Sequence, residues 1–178
     1  MAHLLFAGLL LWSLPLFAED GGTEQDPLRA KAAEGNKIAM FKLGDEYFYG
    51  TKTRLPNPTL AASWYKKAAD AGLPEAMFNY AVCLERGTGV EKNRFEAYDW
   101  MKKAADAGVK MARFQLAMTD LYGIPEDKER GLPAKPPLAT YALSQLEQLA
   151  EEQFIPAETV LAELLLRQNN ANSVAKAV

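Results

Sequence analysis

Beyond residue 37, apolar residues recur at helical spacing. Ala39, Leu43 and Tyr47 follow one another at i+4 steps, and Gly50 interrupts the run. This spacing predicts an amphipathic helix ended by a residue that adopts the left-handed conformation without a Cβ penalty. The connector TKTRLPN leads to Asn57 and Pro58, which read as an N-cap and a first-turn proline. Ala61, Trp64 and Ala68 then share one face of a second helix that stops at Gly72, and Pro74 begins a third.

The pattern repeats. AADAG stands at 68–72 and again at 104–108, 36 residues on, and SWYKKAADAG at 63–72 aligns with DWMKKAADAG at 99–108, which pairs Trp64 with Trp100. Gly35, Gly72 and Gly108 are each followed four residues later by Ala39, Ala76 and Ala112. Eleven residues beyond those come Gly50, Gly87 and Gly123. One helix pair cannot bury its apolar face alone, so successive pairs must stack. Small alanines let neighbouring helices approach, while Trp, Leu and Tyr fill the layer between them.

The predicted repeats are 36–72, 73–108 and 109–153, with a C-terminal cap at 154–168. Asp26-Pro27 opens a short leading helix through Ala33, so the array begins at 27 after a flexible lead at 19–26, and residues 169–178 are expected to fray as a disordered tail. The long charged, proline-rich loop IPEDKERGLPAKPP (124–137) delays the helical stretch Leu138–Gln153. It reads as a solvated loop or, because long loops in compact arrays are often functional, as a contact element. Gln153 occupies the place of the helix-ending glycine.

Residues 1–18, MAHLLFAGLLLWSLPLFA, carry no Asp, Glu, Lys or Arg, and Glu19 and Asp20 end the apolar stretch. They read as a signal peptide cleaved after Ala18, with an uncleaved anchor as the alternative, although the segment falls short of the roughly 20 apolar residues of a membrane span. No cysteine lies near the cut, which excludes a lipid-anchored lipoprotein.

Composition narrows the chemistry. His3 and Cys83 are the only His and Cys, so loss of the signal leaves no His for a Ser-His-Asp or Cys-His mechanism or a His-ligated zinc. A lone Cys forms no internal disulfide and no CxxC pair. Catalytic, cofactor-binding and metal-ligating residues are therefore expected to be absent. A net charge of −3 without basic clusters argues against nucleic acid. Cys83 aligns with Glu46 and Thr119 and reads as a small, partly buried thiol. Lys66-Lys67 and Lys102-Lys103 stand at helix C-termini, where they complement the dipole.

Ala39, Leu43, Gly44, Tyr47, Gly50, Ala61, Trp64, Lys67, Ala68, Ala69 and Gly72 form a pattern that returns as Ala76, Gly87, Gly89, Val90, Ala97, Trp100, Lys103, Ala104, Ala105 and Gly108. The pattern closely resembles the Sel-one-like repeat (SLR) family, relatives of the tetratricopeptide repeats. The resemblance implies an all-α fold, a right-handed α-solenoid of antiparallel helix pairs. It also implies a non-catalytic module that holds other proteins, of the exported bacterial type. Tyr80 and Ala81 replace the Leu-Gly of the pattern and Leu84 replaces its Tyr. Asp120 takes the third Tyr position, which suggests an exposed carboxylate or a locally rotated helix.

In such a superhelix the first helix of each pair lines the concave side. Phe41, Asp45 and Phe48 lie on the face of that helix away from Ala39 and Leu43, and Phe78, Val82 and Glu85 are their equivalents, followed by Phe114, Met118 and Leu121. With the neighbouring Tyr49, these positions form a candidate groove for a partner helix or extended peptide; the alternative is that the phenylalanines are half-buried filler between repeats. The expected function is an adaptor, scaffold or regulator exported to the periplasm or cell surface, binding a protein or peptide partner without nucleic acid or small-molecule cofactor, and meeting the membrane only through an uncleaved signal segment. The alternatives are a carboxylate-based hydrolase of envelope polymers and a structural subunit of an envelope assembly.

Overall fold

Asparagine caps and prolines start most of the helices. Asn36 accepts from the backbone N–H groups of Ile38 and Ala39, Asn57 from Leu60 and Asn93 from Glu96, satisfying amide donors that a helix start leaves free. The computed structural model describes residues 26–176, with side chains to 167; the predicted signal segment 1–18 and most of the lead lie outside the described residues. The order is α1 (Pro27–Ala33), α2 (Lys37–Tyr49), α3 (Pro58–Asp70), α4 (Pro74–Arg86), α5 (Arg94–Asp106), α6 (Lys110–Tyr122), α7 (Ala139–Glu151) and α8 (Ile155–Lys176). Each packs chiefly on its chain neighbours, giving the α-solenoid of stacked antiparallel pairs expected of repeats that bury one face each.

The core follows the repeat alanines. Ala39, Ala61 and Ala97 are buried with Leu43, Tyr47, Trp64, Tyr65, Tyr80 and Leu84 in the N-terminal part of the array. Further along, Ala117, Leu146, Leu149 and Ala157 bury α7 between α6 and α8. The repeat lysines lie on the tryptophans, Lys67 Nζ 4.1 Å from the Trp64 ring centroid and Lys103 Nζ 4.0 Å from that of Trp100. Each ammonium thus lies over an indole face in a cation–π contact.

Polar ties hold both ends. Arg54, from the α2–α3 connector, pairs with Glu46 and, at 3.2 Å, with Asp26 beside α1, and its guanidinium stacks 4.7 Å from the Tyr47 ring centroid. At the other end Glu152, after α7, pairs with Arg113 at 2.7 Å and Lys110 at 3.0 Å, both of α6. These two cations hold its carboxyl below the usual range.

Two local expectations change. The 124–137 segment is not a simple solvated loop: antiparallel bridges join Ile124 to Lys135 and Asp127 to Leu132, Ile124 is buried, and Arg130 binds Asp127 at 2.8 Å and Glu91. The turn is thereby fastened to the α4–α5 connector. Asp120 is neither exposed nor on a rotated helix, since it is 3% exposed in the core position of Tyr47 and Leu84. The Tyr98 hydroxyl donates to its Oδ1 at 2.9 Å, which offsets part of the cost of burying a carboxylate. α8 runs from Ile155 to Lys176, with no glycine or proline to interrupt it after Pro156.

Candidate functional site

Two seams on the first-helix side differ in what fills them. In the first, α3 lies between α2 and α4, and Tyr65 is buried there with its ring 5.7 Å from Phe41 and 6.3 Å from Phe48. It sits so close to α2 that a Cβ on Gly44 would fall 2.5 Å from two of its ring atoms. The Tyr65 hydroxyl donates to Asp45 at 2.7 Å. Burial, then this bond and the Asp45 charge, push the hydroxyl far above the ordinary tyrosine range.

In the next seam α5 lies between α4 and α6, and the register places Glu85 where Phe48 stood and Met101 where Tyr65 stood. A ring and a phenol are replaced by a flexible thioether and a side chain that turns to solvent. The result is a cavity of about 270 Å³ lined by Glu85, Arg94, Tyr98, Met101, Gln115 and Met118, together with the exposed Tyr122 and the buried Ile124. Its floor is apolar, from Met101, Met118 and Ala97, and its edge carries one acid, one base and an amide. That combination suits a side chain or short segment of a polypeptide.

The sequence-predicted residues therefore divide. Glu85 and Met118 come together in the cavity. Asp45 is committed to Tyr65. Phe41 and Phe48 are half-buried against the first cluster, Phe78 and Val82 against the second, and Phe114 and Met118 against the third. The ring contacts of Phe41 and Phe114 run to Tyr65 and to Phe154 at 5.8 Å, so the three phenylalanines pack within separate layers. Tyr49 is 75% exposed, its ring edge-on to Phe48 at 5.0 Å. Arg94, Gln115 and Tyr122 escaped the sequence reading, yet aligning Met101 with Tyr65 and Glu85 with Phe48 marks the seam they surround.

Cys83 is fully rather than partly buried, and burial pushes its thiol up to about 11, which keeps it protonated and inert at neutral pH. Among the described residues no three His, Cys, Asp or Glu side chains cluster to hold a metal ion, and no helix is long and apolar enough to cross a membrane.

The repeat geometry has known counterparts. The Sel1 repeat family matches residues 37–73 and 74–109. Each match spans one helix pair, α2–α3 and α4–α5. Sel-1 homolog 2 from Mus musculus is 41% identical over 63 residues, which is 35% of this chain and 9% of that protein. HRD3A from Arabidopsis thaliana, a component of an ERAD-associated E3 ubiquitin-protein ligase, is 36% identical over 62 residues, again 35% of this chain and 9% of its own length. The chain thus spans about a tenth of the curated relatives it matches. Among solved structures, a Sel1 repeat protein from Oxalobacter formigenes superposes with a TM-score of 0.59 at 26% identity, covering 76% of this chain and 95% of that one. A protective antigen of uropathogenic Escherichia coli with an SLR fold gives 0.66 at 21%, covering 79% and 28%, and shows the shared fold. Sel1 repeat proteins are generally interaction modules and typically non-catalytic scaffolds.

Proposed function

We propose that this chain is a non-catalytic adaptor, scaffold or regulator, exported to the periplasm or cell surface, that holds a protein partner on the first-helix face between α4 and α6. The observation that carries the reading is the cavity between Glu85 and Met118, opened where the repeat loses two aromatic side chains and bordered by Tyr122, which is 64% exposed. An exposed tyrosine beside a partly apolar recess with an Arg at its edge has the composition of an interface anchor point. Export rests on the apolar, uncharged residues 1–18 and the small Ala18 before Glu19. An uncleaved segment would instead anchor the same module.

A photo-crosslinking amino acid at position 122, in the chain expressed in its native cell, is expected to yield a discrete protein adduct, while the same probe at Ser63, exposed on α3, yields none. Equal labelling from both positions, or none from 122, overturns the assignment of the face. Mass spectrometry of the recovered chain reads the export step separately, a mature N-terminus at Glu19 being expected.

A further inference from the structure

The two ends of the array each hold half of a helix pair. Inside it, α3, α5 and α7 each lie between two first helices. α1 stands in the second-helix register, Gly35 matching Gly72 and Gly108, and its main packing partner is α2. α8 stands in the first-helix register, Ala157 matching Ala39, Ala76 and Ala112, and its main packing partner is α7.

The face of α8 that a following second helix would cover is open. Gly44, Ala81 and Ala117 are buried where the second helix of each pair approaches, but their equivalent, Ala162, is exposed. Tyr47, Leu84 and Asp120 are buried beside them, whereas Leu165 in the same register is 61% exposed and Leu166 next to it 64%. Because α8 runs on to Lys176, no described residue turns back along this face.

α1 fits that slot in size and in charge. Tyr65 packs against Gly44, while Ala81 shares a cluster with Met101 and Ala117 with Leu146, so glycine goes with a ring and alanine with an aliphatic side chain. At the two ends the register sets Leu28 of α1 against Ala162 of α8. Met40 packs on the cluster that holds Ala68, and Met77 on the cluster that holds Ala104. On the unpaired halves Lys31 takes the alanine position and Glu158 the methionine position, both exposed. An apolar contact inside the array thus becomes an opposite-charge pair between its ends. Glu34, one turn beyond Lys31, takes the place of Glu152, so Lys31 serves two carboxylates at that corner.

We propose that a second copy of this chain seats its α1 in the open slot of α8, so that copies join head to tail and the repeat runs from one chain into the next. A contact between unlike surfaces builds rings or open filaments rather than a symmetric pair. It leaves the α4–α6 cavity uncovered and does not rest on the partner assigned there.

The test is sedimentation equilibrium of the chain recovered from its native cell, whose average mass is expected to pass that of a dimer as concentration rises. Lys31→Glu gathers three carboxylates at the joint and should weaken association by at least about tenfold. Adding Glu158→Lys to the same chain should restore it. Both side chains are exposed, and an unchanged melting temperature shows that the fold is kept. Mixing Leu28→Cys chains with Ala162→Cys chains under oxidation is expected to link position 28 of one copy to 162 of another, the buried Cys83 taking no part. A chain that stays monomeric to millimolar concentration, association that Lys31→Glu leaves unchanged, no recovery in the charge swap, or 162–162 links in place of 28–162 overturns the proposal.

Discussion

The seam that α3 closes and the seam that α5 leaves open are built on the same backbone repeat, and they differ in a few side chains. Around α3, Phe41, Phe48 and Tyr65 fill the space, Gly44 makes room for the phenol, and Asp45 takes its hydroxyl. Around α5 the equivalents are Phe78, Glu85, Met101, Ala81 and Val82, and a cavity appears. The difference teaches that in a solenoid the alanines and glycines that set helix spacing are separable from the large side chains that fill each layer. A repeat can give up filler without giving up its fold, and the space released is where recognition can develop.

The comparison breaks most severely at Gly89. This residue has φ +73°, and a Cβ there would lie 2.0 Å from the Pro58 carbonyl oxygen at the start of α3. Neither side of that contact is a movable side chain, so Gly89→Ala is expected to cost more than about 3 kcal/mol, measured by urea unfolding. Gly131→Ala, at φ +66° with nothing within 4 Å, should cost only about 1 kcal/mol. Equal losses would show that the α4–α5 connector is not wedged against α3.

Gly44 sharpens the comparison itself. Gly44→Ala should lose roughly 1–3 kcal/mol because the Tyr65 ring cannot withdraw from a packed layer. In a Tyr65→Met background, which copies the Ala81–Met101 pairing of the next repeat, the same substitution should be nearly neutral. A double-mutant cycle reads that coupling, and simple additivity would contradict the idea that glycine and tyrosine form one unit.

The two tyrosine–aspartate ties should differ in strength. Tyr98→Phe leaves Asp120, almost fully buried, with neither oxygen hydrogen-bonded, and about 2 kcal/mol of destabilisation is expected. Tyr65→Phe strips only the half-buried Asp45, with about 1 kcal/mol expected. The reverse order of denaturation midpoints would refute the reading of Asp120 as the more dependent carboxylate. The smallest effect belongs to Gln153, whose φ of 59° is the positive value taken by a non-glycine among the described residues. Gln153→Gly restores the repeat residue and should raise stability by up to about 1 kcal/mol.

Much of this fold was legible in the sequence because it is periodic. The Gly–Ala spacing located the helix pairs, Asn57 and Pro58 announced the start of α3, and Gln153 stood out as a substituted glycine and proved to carry the strained backbone. Where the register stayed intact but the chemistry changed, single positions misled. Asp120 reads as exposed or on a rotated helix because a carboxylate in a core position is unexpected, and only the Tyr98 hydroxyl on α5, 22 residues away, explains it. The 124–135 turn also ties to the α4–α5 connector through Arg130 and Glu91, 39 residues apart, a pairing that no local pattern announces. For the candidate site, Glu85 and Met118 were visible as positions on one face. The cavity was not, because it arises from what α5 lacks relative to α3, and absence of volume becomes visible only when two seams are set side by side.

The most direct test of the account refills the open seam. Glu85→Phe restores the first-repeat residue at the edge of the cavity, and its effect is read by photo-crosslinking from position 118 in the native cell together with the melting temperature. The account predicts that the adduct formed by the unaltered chain disappears while the melting temperature is maintained or rises. An undiminished adduct from a stably folded Glu85→Phe chain would contradict it.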